Sequence, residues 1–294
     1  MKPKIIIVIL SLIVACFFLT SCGTDTTSTS TNYKQGTGNV ILTTLSGYPS
    51  DTIYPNSEFK IVVKVDNQGA YKLNKGIIKI LGFDEKYISL TESKKSITSL
   101  EGNTYLDGKS STNPNGEFTF IEFGALAKNL FPGSESYSAP YFIKAEYEYQ
   151  TDFSQTVCIN TNLYEVQDSG CKVTTKTSFS GQGSPLAITE MEELISPGAL
   201  ASVDFRLTLK NAGKGKVKQV TLNKATLSNQ PMKCIFNDNP GQKTNSYEFK
   251  DKEEVVILCK QNLDSQKASY SSVIYLDLSF NYILEESKTL TLKK

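Results

Sequence analysis

Residues 59–69, FKIVVKVDNQG, decide the fold, because a second version of this stretch occurs at residues 203–213 as VDFRLTLKNAG. Apolar and polar side chains alternate along both copies, which is typical of a β-strand with one buried face. The matching apolar positions are Phe59, Ile61, Val63 and Val65 in the first copy and Val203, Phe205, Leu207 and Leu209 in the second. The repeat therefore predicts two related β-domains in one chain.

Both copies end in the sequence Asn-x-Gly, at Asn67 and Gly69 and again at Asn211 and Gly213. Asparagine and glycine tolerate positive φ better than other residues, and both are common in turns. The motif therefore predicts that each strand closes in a turn that makes use of this tolerance.

Further alternating stretches, notably residues 141–150 and 272–284, are separated by segments rich in Gly, Pro and Asn. Many short strands with turn signals between them favour antiparallel sandwiches over a parallel sheet. We therefore predict an all-β protein with two tandem immunoglobulin-like antiparallel β-sandwiches. The first is assigned to residues 38–150 and the second to residues 184–294, with a cysteine-containing connecting segment at residues 151–183.

The N-terminus carries the clearest functional signal. Two lysines precede an apolar run at residues 5–19, which at 15 residues is shorter than the roughly 20 that a membrane span needs. The run leads into Leu-Thr-Ser-Cys-Gly at residues 19–23, which resembles a prokaryotic lipobox. The resemblance implies a lipoprotein signal peptide at residues 1–21 and a mature chain that begins with a lipidated Cys22.

Two alternatives remain for this segment: a retained signal anchor, and ordinary secretion in which Cys22 carries no lipid. All three interpretations export the rest of the chain, and we expect an extracytoplasmic protein anchored to the cell membrane by an N-terminal lipid. Residues 22–37 are rich in Ser and Thr and hold few apolar side chains. Such a segment cannot bury enough apolar area to order itself, which predicts a flexible, disordered linker.

Composition excludes several classes of function. The 294 residues carry a net charge of +1, contain no histidine and include Arg206 as the only arginine. Arginine is the usual reader of guanine and phosphate, so no nucleic-acid partner is expected. Histidine is the side chain best suited to proton transfer near neutral pH. We therefore predict no catalytic residue, no cofactor and no metal site.

Four cysteines remain once Cys16 and Cys22 are assigned to the N-terminal segment, and four cysteines allow three disulfide connectivities. An exported chain favours disulfides. Local pairing within one predicted module favours the bonds Cys158–Cys171 and Cys234–Cys259. A zinc site is the alternative, but the spacings contain no CxxC pair and no histidine is present.

Lys214, Lys216 and Lys218 alternate along the stretch that follows the second Asn-x-Gly motif. Lysines in this pattern protect an exposed sheet edge from aggregation. The functional alternative is contact with anionic lipid headgroups or with an anionic surface polymer.

A strand that closes in Asn-x-Gly and is followed by an apolar strand, found twice here, resembles the CARDB-type immunoglobulin-like domains of bacterial and archaeal surface proteins. Three further stretches are similar to surface proteins of that broad kind: Val-Cys-Ile at residues 157–159, Cys-Lys-Val at 171–173 and Gly-Gln-Gly-Ser-Pro at 181–185. The resemblance implies an extracellular sandwich that is adhesive or structural, and it supplies no catalytic residue.

These observations predict a non-catalytic, lipid-anchored surface protein with two immunoglobulin-like domains for adhesion, partner binding or envelope structure. Its expected partners are the membrane, through the lipid, and a protein or cell-envelope component. One alternative is a lipoprotein subunit of a surface secretion or pilus assembly. The other is an exported hydrolase that uses paired carboxylates. The candidate carboxylates for the hydrolase are Glu85, Glu92, Glu192, Glu193, Glu253 and Glu254.

Overall fold

The computed structural model describes residues 32–161, 170–197, 201–237, 245–263 and 269–294. The predicted signal peptide, Cys22 and most of the predicted linker lie outside these ranges. The described residues form strands, turns and bends, and none of them belongs to a helix. The described part of the chain therefore offers no apolar helix of bilayer-spanning length.

Strands make up most of the described chain. The first nine are β1 (Val40–Thr44), β2 (Thr52–Ile53), β3 (Glu58–Asn67), β4 (Leu73–Leu81), β5 (Ile88–Leu90), β6 (Lys94–Ser96), β7 (Tyr105–Leu106), β8 (Phe118–Ala127) and β9 (Ser136–Ile159). The others are β10 (Lys176–Ser178), β11 (Leu186–Ser196), β12 (Ser202–Asn211), β13 (Lys216–Leu227), β14 (Gln230–Pro231), β15 (Lys233–Phe236), β16 (Ser246–Glu248), β17 (Glu254–Asn262) and β18 (Tyr270–Lys293).

These strands form three sheets. A four-stranded sheet has the order β1-β3-β8-β5, and a five-stranded sheet has the order β10-β11-β12-β17-β15. The third sheet has nine strands, with β14-β13-β18-β9-β4-β6 as its main path and β16, β2 and β7 as side branches. Pairing is antiparallel throughout, except that β2 lies parallel to β18. The all-β, antiparallel prediction is confirmed.

The two long strands of the third sheet, β9 and β18, pair along their whole length, from Ser136 opposite Lys293 to Ile159 opposite Tyr270. The buried positions of β9 are odd-numbered from Ala139 to Phe153, and they resume at Val157 after partly buried Gln155. Because alternate residues of a strand share a face, one face of this ribbon is buried along most of its length. The four-stranded and five-stranded sheets cover successive parts of that face. We call the resulting layers the first and the second sandwich.

The strand order within each sandwich is immunoglobulin-like. In that fold, strands A, B, E and D form one sheet and C, F and G the other. In the first sandwich β1, β3, β8 and β5 occupy the A-B-E-D order, and β4 and the first half of β9 take the C and F positions. The second half of β18 then takes the G position. In the second sandwich β13, the first half of β18 and the second half of β9 fill C, F and G.

The two sandwiches therefore exchange their last strands within one chain, as protomers do in a domain-swapped dimer. An F–G hairpin would need a tight turn, and such turns depend on Gly, Asn-Gly or Asp-Gly. The central residues of β9 read Tyr-Glu-Tyr-Gln-Thr at 147–151, and those of β18 read Phe-Asn-Tyr-Ile-Leu at 280–284. Neither segment contains Gly or Pro, so each strand runs straight on into the neighbouring sandwich.

Two of the stretches predicted as strands, residues 141–150 and 272–284, lie inside these long strands. The boundary drawn from the sequence between the first sandwich and the connecting segment, at residue 150, falls in the middle of β9. Asn32–Lys294 forms one compact unit. The shared sheet makes the two sandwiches inseparable parts of that unit.

The first Asn-x-Gly motif does not act as predicted. Neither Asn67 nor Gly69 has positive φ. Asn67 is fully buried, and its amide nitrogen donates to the carbonyl oxygens of Tyr71 at 2.8 Å and Leu106 at 3.0 Å. The Tyr149 hydroxyl donates to Asn67 Oδ1 at 2.9 Å. Glycine is needed because a Cβ at position 69 would collide with that hydroxyl.

The second motif repeats this arrangement. The Asn211 amide nitrogen donates to the Gly215 carbonyl at 2.8 Å, and the Tyr282 hydroxyl donates to Asn211 Oδ1 at 3.3 Å. A Cβ at Gly213 would meet the Tyr282 hydroxyl. The first motif therefore connects the end of β3 to a tyrosine at the centre of β9. The second connects the end of β12 to a tyrosine at the centre of β18. Hydrogen bonds to these tyrosines, and not a left-handed turn, explain why the motif occurs twice.

Candidate functional site

Cys158, Cys171, Cys234 and Cys259 form the two disulfides that local pairing favoured. Cys158, at the end of β9, bonds Cys171 with an Sγ–Sγ distance of 2.03 Å. Cys234 on β15 bonds Cys259, its direct partner across to β17, at 2.07 Å. Among the described residues, no three His, Cys, Asp or Glu side chains are placed to hold a metal ion. Each disulfide crosslinks two segments that lie close together in the sequence.

We expect the double variant Cys234→Ser/Cys259→Ser to lose about 3 kcal/mol of unfolding free energy, because the bond closes a loop of 25 residues. Urea unfolding followed by circular dichroism measures this loss. Cys158→Ser/Cys171→Ser is the matched control, since its shorter loop of 13 residues predicts a slightly smaller loss. An unchanged urea midpoint in both double variants would show that neither bond contributes.

The adjacent carboxylates Glu192 and Glu193 do not form a hydrolytic pair. Consecutive residues of a strand point to opposite faces, and both lie on β11. Glu192 reaches the exposed side chains of Lys176 at 3.7 Å and Arg206 at 3.9 Å. Glu193 instead points into the protein. The two carboxylates therefore cannot flank one scissile bond.

Glu193 lines a cavity of about 220 Å³ beside the Cys158–Cys171 disulfide. The residue is 2% exposed, and its Oε1 atom has no hydrogen-bond partner in the described part of the chain. Burial raises the pKa of this carboxyl group from 4.5 to about 7. The folded protein therefore holds Glu193 as a neutral acid at pH values where an exposed glutamate is ionised.

This raised pKa makes stability depend on pH. Its contribution to the free energy of unfolding is fully present below pH 4.5 and is lost as the pH rises to about 7. The reason is that Glu193 of the unfolded chain loses its proton at a lower pH than Glu193 of the folded protein. The loss amounts to at most about 3 kcal/mol. We expect Glu193→Gln to remove this part of the pH dependence and to be more stable than the parent at pH 8. Urea unfolding between pH 4 and 8 measures both effects.

Glu192→Gln is the matched control for this variant, because the neighbouring carboxyl lies on the other face of the same strand. It should leave the slope of stability against pH close to that of the parent protein. Identical slopes in the parent and in Glu193→Gln would show that the buried carboxyl does not titrate in this range.

Aromatic side chains fill the centre of the shared sheet, where the two sandwiches meet. The ring centroids of Tyr147 and Tyr282 lie 5.7 Å apart, and those of Tyr149 and Phe280 lie 6.0 Å apart. None of the four residues is more than 3% exposed. Ligand clefts form preferentially at domain interfaces. In this protein the corresponding position is part of the hydrophobic core.

A surface hollow of about 530 Å³ lies beside this aromatic centre. Lys34 Nζ lies 2.6 Å from one carboxylate oxygen of Asp152, and the Tyr71 hydroxyl donates to the other at 2.6 Å. Burial and this hydrogen bond raise the pKa of Tyr71, so the hydroxyl remains a donor. The two charged side chains that line the hollow, Lys34 and Asp152, therefore pair with each other.

The first described residues run through the same central region. The Gly183 amide donates to the Gly36 carbonyl at 2.8 Å, and the Gln68 amide donates to the Asn39 carbonyl at 3.0 Å. The segment that enters from the predicted linker therefore joins the folded unit between its two sandwiches.

A second concave surface, of about 820 Å³, lies where β12 leads into β13, next to the turn that precedes β17. Its lysines are Lys210, Lys214, Lys216, Lys218, Lys250 and Lys252. Its carboxylates are Glu248, Asp251 and Glu253. We call this surface the lysine cleft. The structure brings the three predicted lysines at 214, 216 and 218 together with three that sequence reasoning missed.

The backbone positions the two walls of the lysine cleft. On the first wall, Lys216 and Lys218 flank Val217, which is buried, so the strand period turns both lysines to solvent. On the second wall, Lys250 and Asp251 have φ values of 42° and 65°. Non-glycine residues adopt such angles only where surrounding structure holds them, and buried Phe249 anchors this turn.

The cleft concentrates positive charge. Six lysines against three carboxylates leave a charge of +3, whereas the whole chain carries +1. Within the cleft, Lys216 Nζ lies 3.3 Å from a carboxylate oxygen of Asp251, and both side chains are more than three-quarters exposed. Such an exposed pair contributes little to stability. This ion pair therefore gives no structural reason for the excess charge of the cleft.

The corresponding part of the first sandwich is different. Its lysines pair with nearby carboxylates, as Lys72 does with Asp107 at 3.0 Å and Lys64 with Asp66 at 2.6 Å. Both sandwiches share the strand order and the Asn-x-Gly arrangement. The fold therefore does not require a lysine excess at this position, and the cleft is a specific feature of the second sandwich.

Comparisons with known proteins do not assign a family. No protein-family model matches the sequence, and a search of curated proteins finds no match. Among solved structures, the E. coli chaperone DraB is similar at 10% identity over 77% of this chain and 86% of that chain, with a TM-score of 0.20. The YadV chaperone is similar at 11% identity over 85% and 99% of the two chains, with a TM-score of 0.19.

The collagen adhesin from S. aureus is similar at 12% identity over 88% of this chain and 94% of that chain, with a TM-score of 0.18. Similarities this weak do not show that this protein shares an activity or a partner with these three proteins. The function has to be inferred from the residues of this chain.

Proposed function

We propose that the protein is a non-catalytic, lipid-anchored surface protein of the CARDB-like kind, held outside the cell membrane by Cys22. Its two immunoglobulin-like sandwiches bind a cell-envelope component in an adhesive or structural role. The observation that carries this proposal is the exchange of strands through β9 and β18, which joins the sandwiches through one continuous sheet. Enzyme clefts form preferentially between domains, and here that position is packed with buried tyrosines.

Two further features support an exported, anchored location. Both disulfide pairs suit an oxidising compartment. The described residues from Asn32 onward join the compact unit between the two sandwiches, at Gly36 and Asn39. A linker that precedes them would hold the unit at its middle and leave the outer ends of both sandwiches accessible.

Mass spectrometry of the N-terminal peptide of the native protein tests the anchor. We expect a diacylglyceryl group on Cys22, and we expect Cys22→Ser to move the protein from the membrane fraction to the soluble fraction. Recovery of a peptide that begins with Met1 would contradict cleavage and lipidation.

Incubation of the protein with isolated cell envelope from its source organism tests the absence of catalysis. We expect the protein to co-sediment with the envelope while no soluble fragments are released. Release of fragments that depends on the glutamates named above would support the exported hydrolase instead.

A lipoprotein subunit of a surface assembly is a second candidate, favoured by one exposed face. Phe118 and Phe120 on β8 are 38% and 40% exposed. Ile41 on β1, which lies in register with Phe118 across β3, is 48% exposed. Light scattering of the purified protein tests this candidate. Assembly through this face predicts oligomers that Phe118→Ser/Phe120→Ser reduces to monomers, whereas a monomeric parent protein would exclude self-assembly through it.

A further inference from the structure

We infer that the lysine cleft binds an anionic polymer with repeated phosphate or carboxylate groups. The inference rests on the proposed function and names the envelope component that the second sandwich would contact. It assigns a ligand class to lysines that the fold does not need and that form no ion pair in the described part of the chain.

The first argument is the unbalanced charge. Lys210, Lys214, Lys218 and Lys250 line the cleft and form no ion pair with any residue in the described ranges. Ammonium groups that crowd one concave surface repel one another and raise the local concentration of anions. An anion that enters the cleft relieves this repulsion.

The second argument is the arrangement of the two walls. One wall is the segment from Lys210 to Lys218 and the other is the turn from Glu248 to Glu253, so cations face the cleft from two sides. Lys216 and Asp251 bridge the walls at 3.3 Å. Asp251 thus occupies the position of a ligand anion and would compete with it. Removal of this carboxylate should strengthen binding.

The third argument distinguishes a polymer from a membrane. A bilayer presents a flat array of headgroups, which a concave surface cannot follow, whereas a polymer chain can lie between two walls. Surfaces that insert into membranes also expose large apolar side chains beside their cations. The apolar residues of the cleft are Ala212, Val217 and Ile283, and Val217 is buried.

The fourth argument concerns the type of cation. Lysine is a compact point charge, and it lacks the planar, bidentate geometry of arginine. A cleft made of lysines therefore recognises charge density and spacing more than the shape of one group. This suits a repeating phosphate or carboxylate polymer.

The test uses the chain from residue 22 with Cys22→Ser, which keeps the whole compact unit. Binding of fluorescently labelled polyphosphate is followed by anisotropy at 50 and 200 mM NaCl, with labelled polyglutamate as a second probe. Four lysine contacts predict a loss of affinity of about 50-fold between the two salt concentrations. The preferred probe identifies the anionic group, phosphate or carboxylate.

The test variant is Lys214→Gln/Lys218→Gln/Lys250→Gln, and we expect it to bind at least tenfold more weakly at 50 mM NaCl. The matched control is Lys86→Gln/Lys94→Gln/Lys233→Gln, which removes the same charge from exposed positions elsewhere. The control should bind within twofold of the parent. Thermal melts confirm that both variants remain folded. Asp251→Asn should bind more tightly than the parent, which a damaged fold could not produce.

Three results would overturn the inference. Equal losses in the test and control variants would indicate diffuse attraction to the whole surface. Tighter binding to phosphatidylglycerol vesicles than to either polymer would assign the lysines to a membrane. Absence of binding to every probe would show that the cleft binds no such polymer. If the native protein still carried lipid on Cys22, the proposed anchoring would stand despite this result.

Discussion

Deletion of residues 284–294 is expected to unfold the first sandwich, although these residues are the last of the chain. The second half of β18 pairs with the first half of β9 and with β2. It buries Leu284, Leu290 and Leu292, of which the last is fully buried. Losing three buried leucines costs at least about 6 kcal/mol, since each Leu→Ala change alone costs 2–5. This is a large share of the 5–15 kcal/mol that typically stabilises a domain.

Limited proteolysis with mass spectrometry distinguishes the two sandwiches in the shortened chain. Cleavage sites should appear between residues 40 and 130, while residues 186–262 remain protected for longer. Removal of Lys294 alone is the control, because this residue is exposed and adds one backbone hydrogen bond, to Glu135 at 3.0 Å. If the chain without residues 284–294 gave the same fragments and melting temperature as the parent, the exchange of strands would not contribute to stability.

Asn67→Ala is expected to cost about 3–5 kcal/mol, the second-largest effect we predict. The substitution leaves the carbonyls of Tyr71 and Leu106 and the hydroxyl of Tyr149 without their partner in a fully buried site. Each buried polar group left unsatisfied costs about 1–3 kcal/mol. Guanidinium unfolding of the variant and of the parent measures the difference.

Asn211→Ala should cost less than Asn67→Ala, about 2 kcal/mol, because Asn211 is only partly buried and its amide nitrogen makes one hydrogen bond, to Gly215. Exposed Asn115→Ala is the control and should stay within about 0.5 kcal/mol of the parent. A double-mutant cycle of Asn67→Ala with Tyr149→Phe should reveal coupling between the two side chains. Additive effects would show that the motif does not act through the tyrosine.

The predicted strands were recognisable because alternation is a local property. Ile61, Val63 and Val65 are fully buried in the structure, as the first strand pattern predicted. The disulfides could be predicted for a related reason, because the two cysteines of each favoured pair lie close together in the sequence. Both predictions depend on residues that are near one another in the chain.

The lysine cleft was only partly predictable. Lys214, Lys216 and Lys218 were visible as a regular pattern on one segment. Lys250 and Lys252 reach the same surface from a different turn, and the sequence around them contains no repeated spacing that points there. Their convergence follows from the hydrogen bond of the Phe249 amide to the Lys218 carbonyl, at 3.2 Å, which joins the two segments.

The alternation of side chains, the repeat and the inward face of the repeated strand could be recognised from residue order alone. A period of two residues sets the orientation of side chains, and this orientation does not depend on the partner strand. That β9 and β18 run through both sandwiches became visible only in the folded molecule. These two strands pair residues that are more than a hundred positions apart in the chain. Which of the possible pairings forms depends on the free energy of the whole folded protein. The Asn-x-Gly motifs illustrate the same division, because their residue types were visible but their buried tyrosine partners were not.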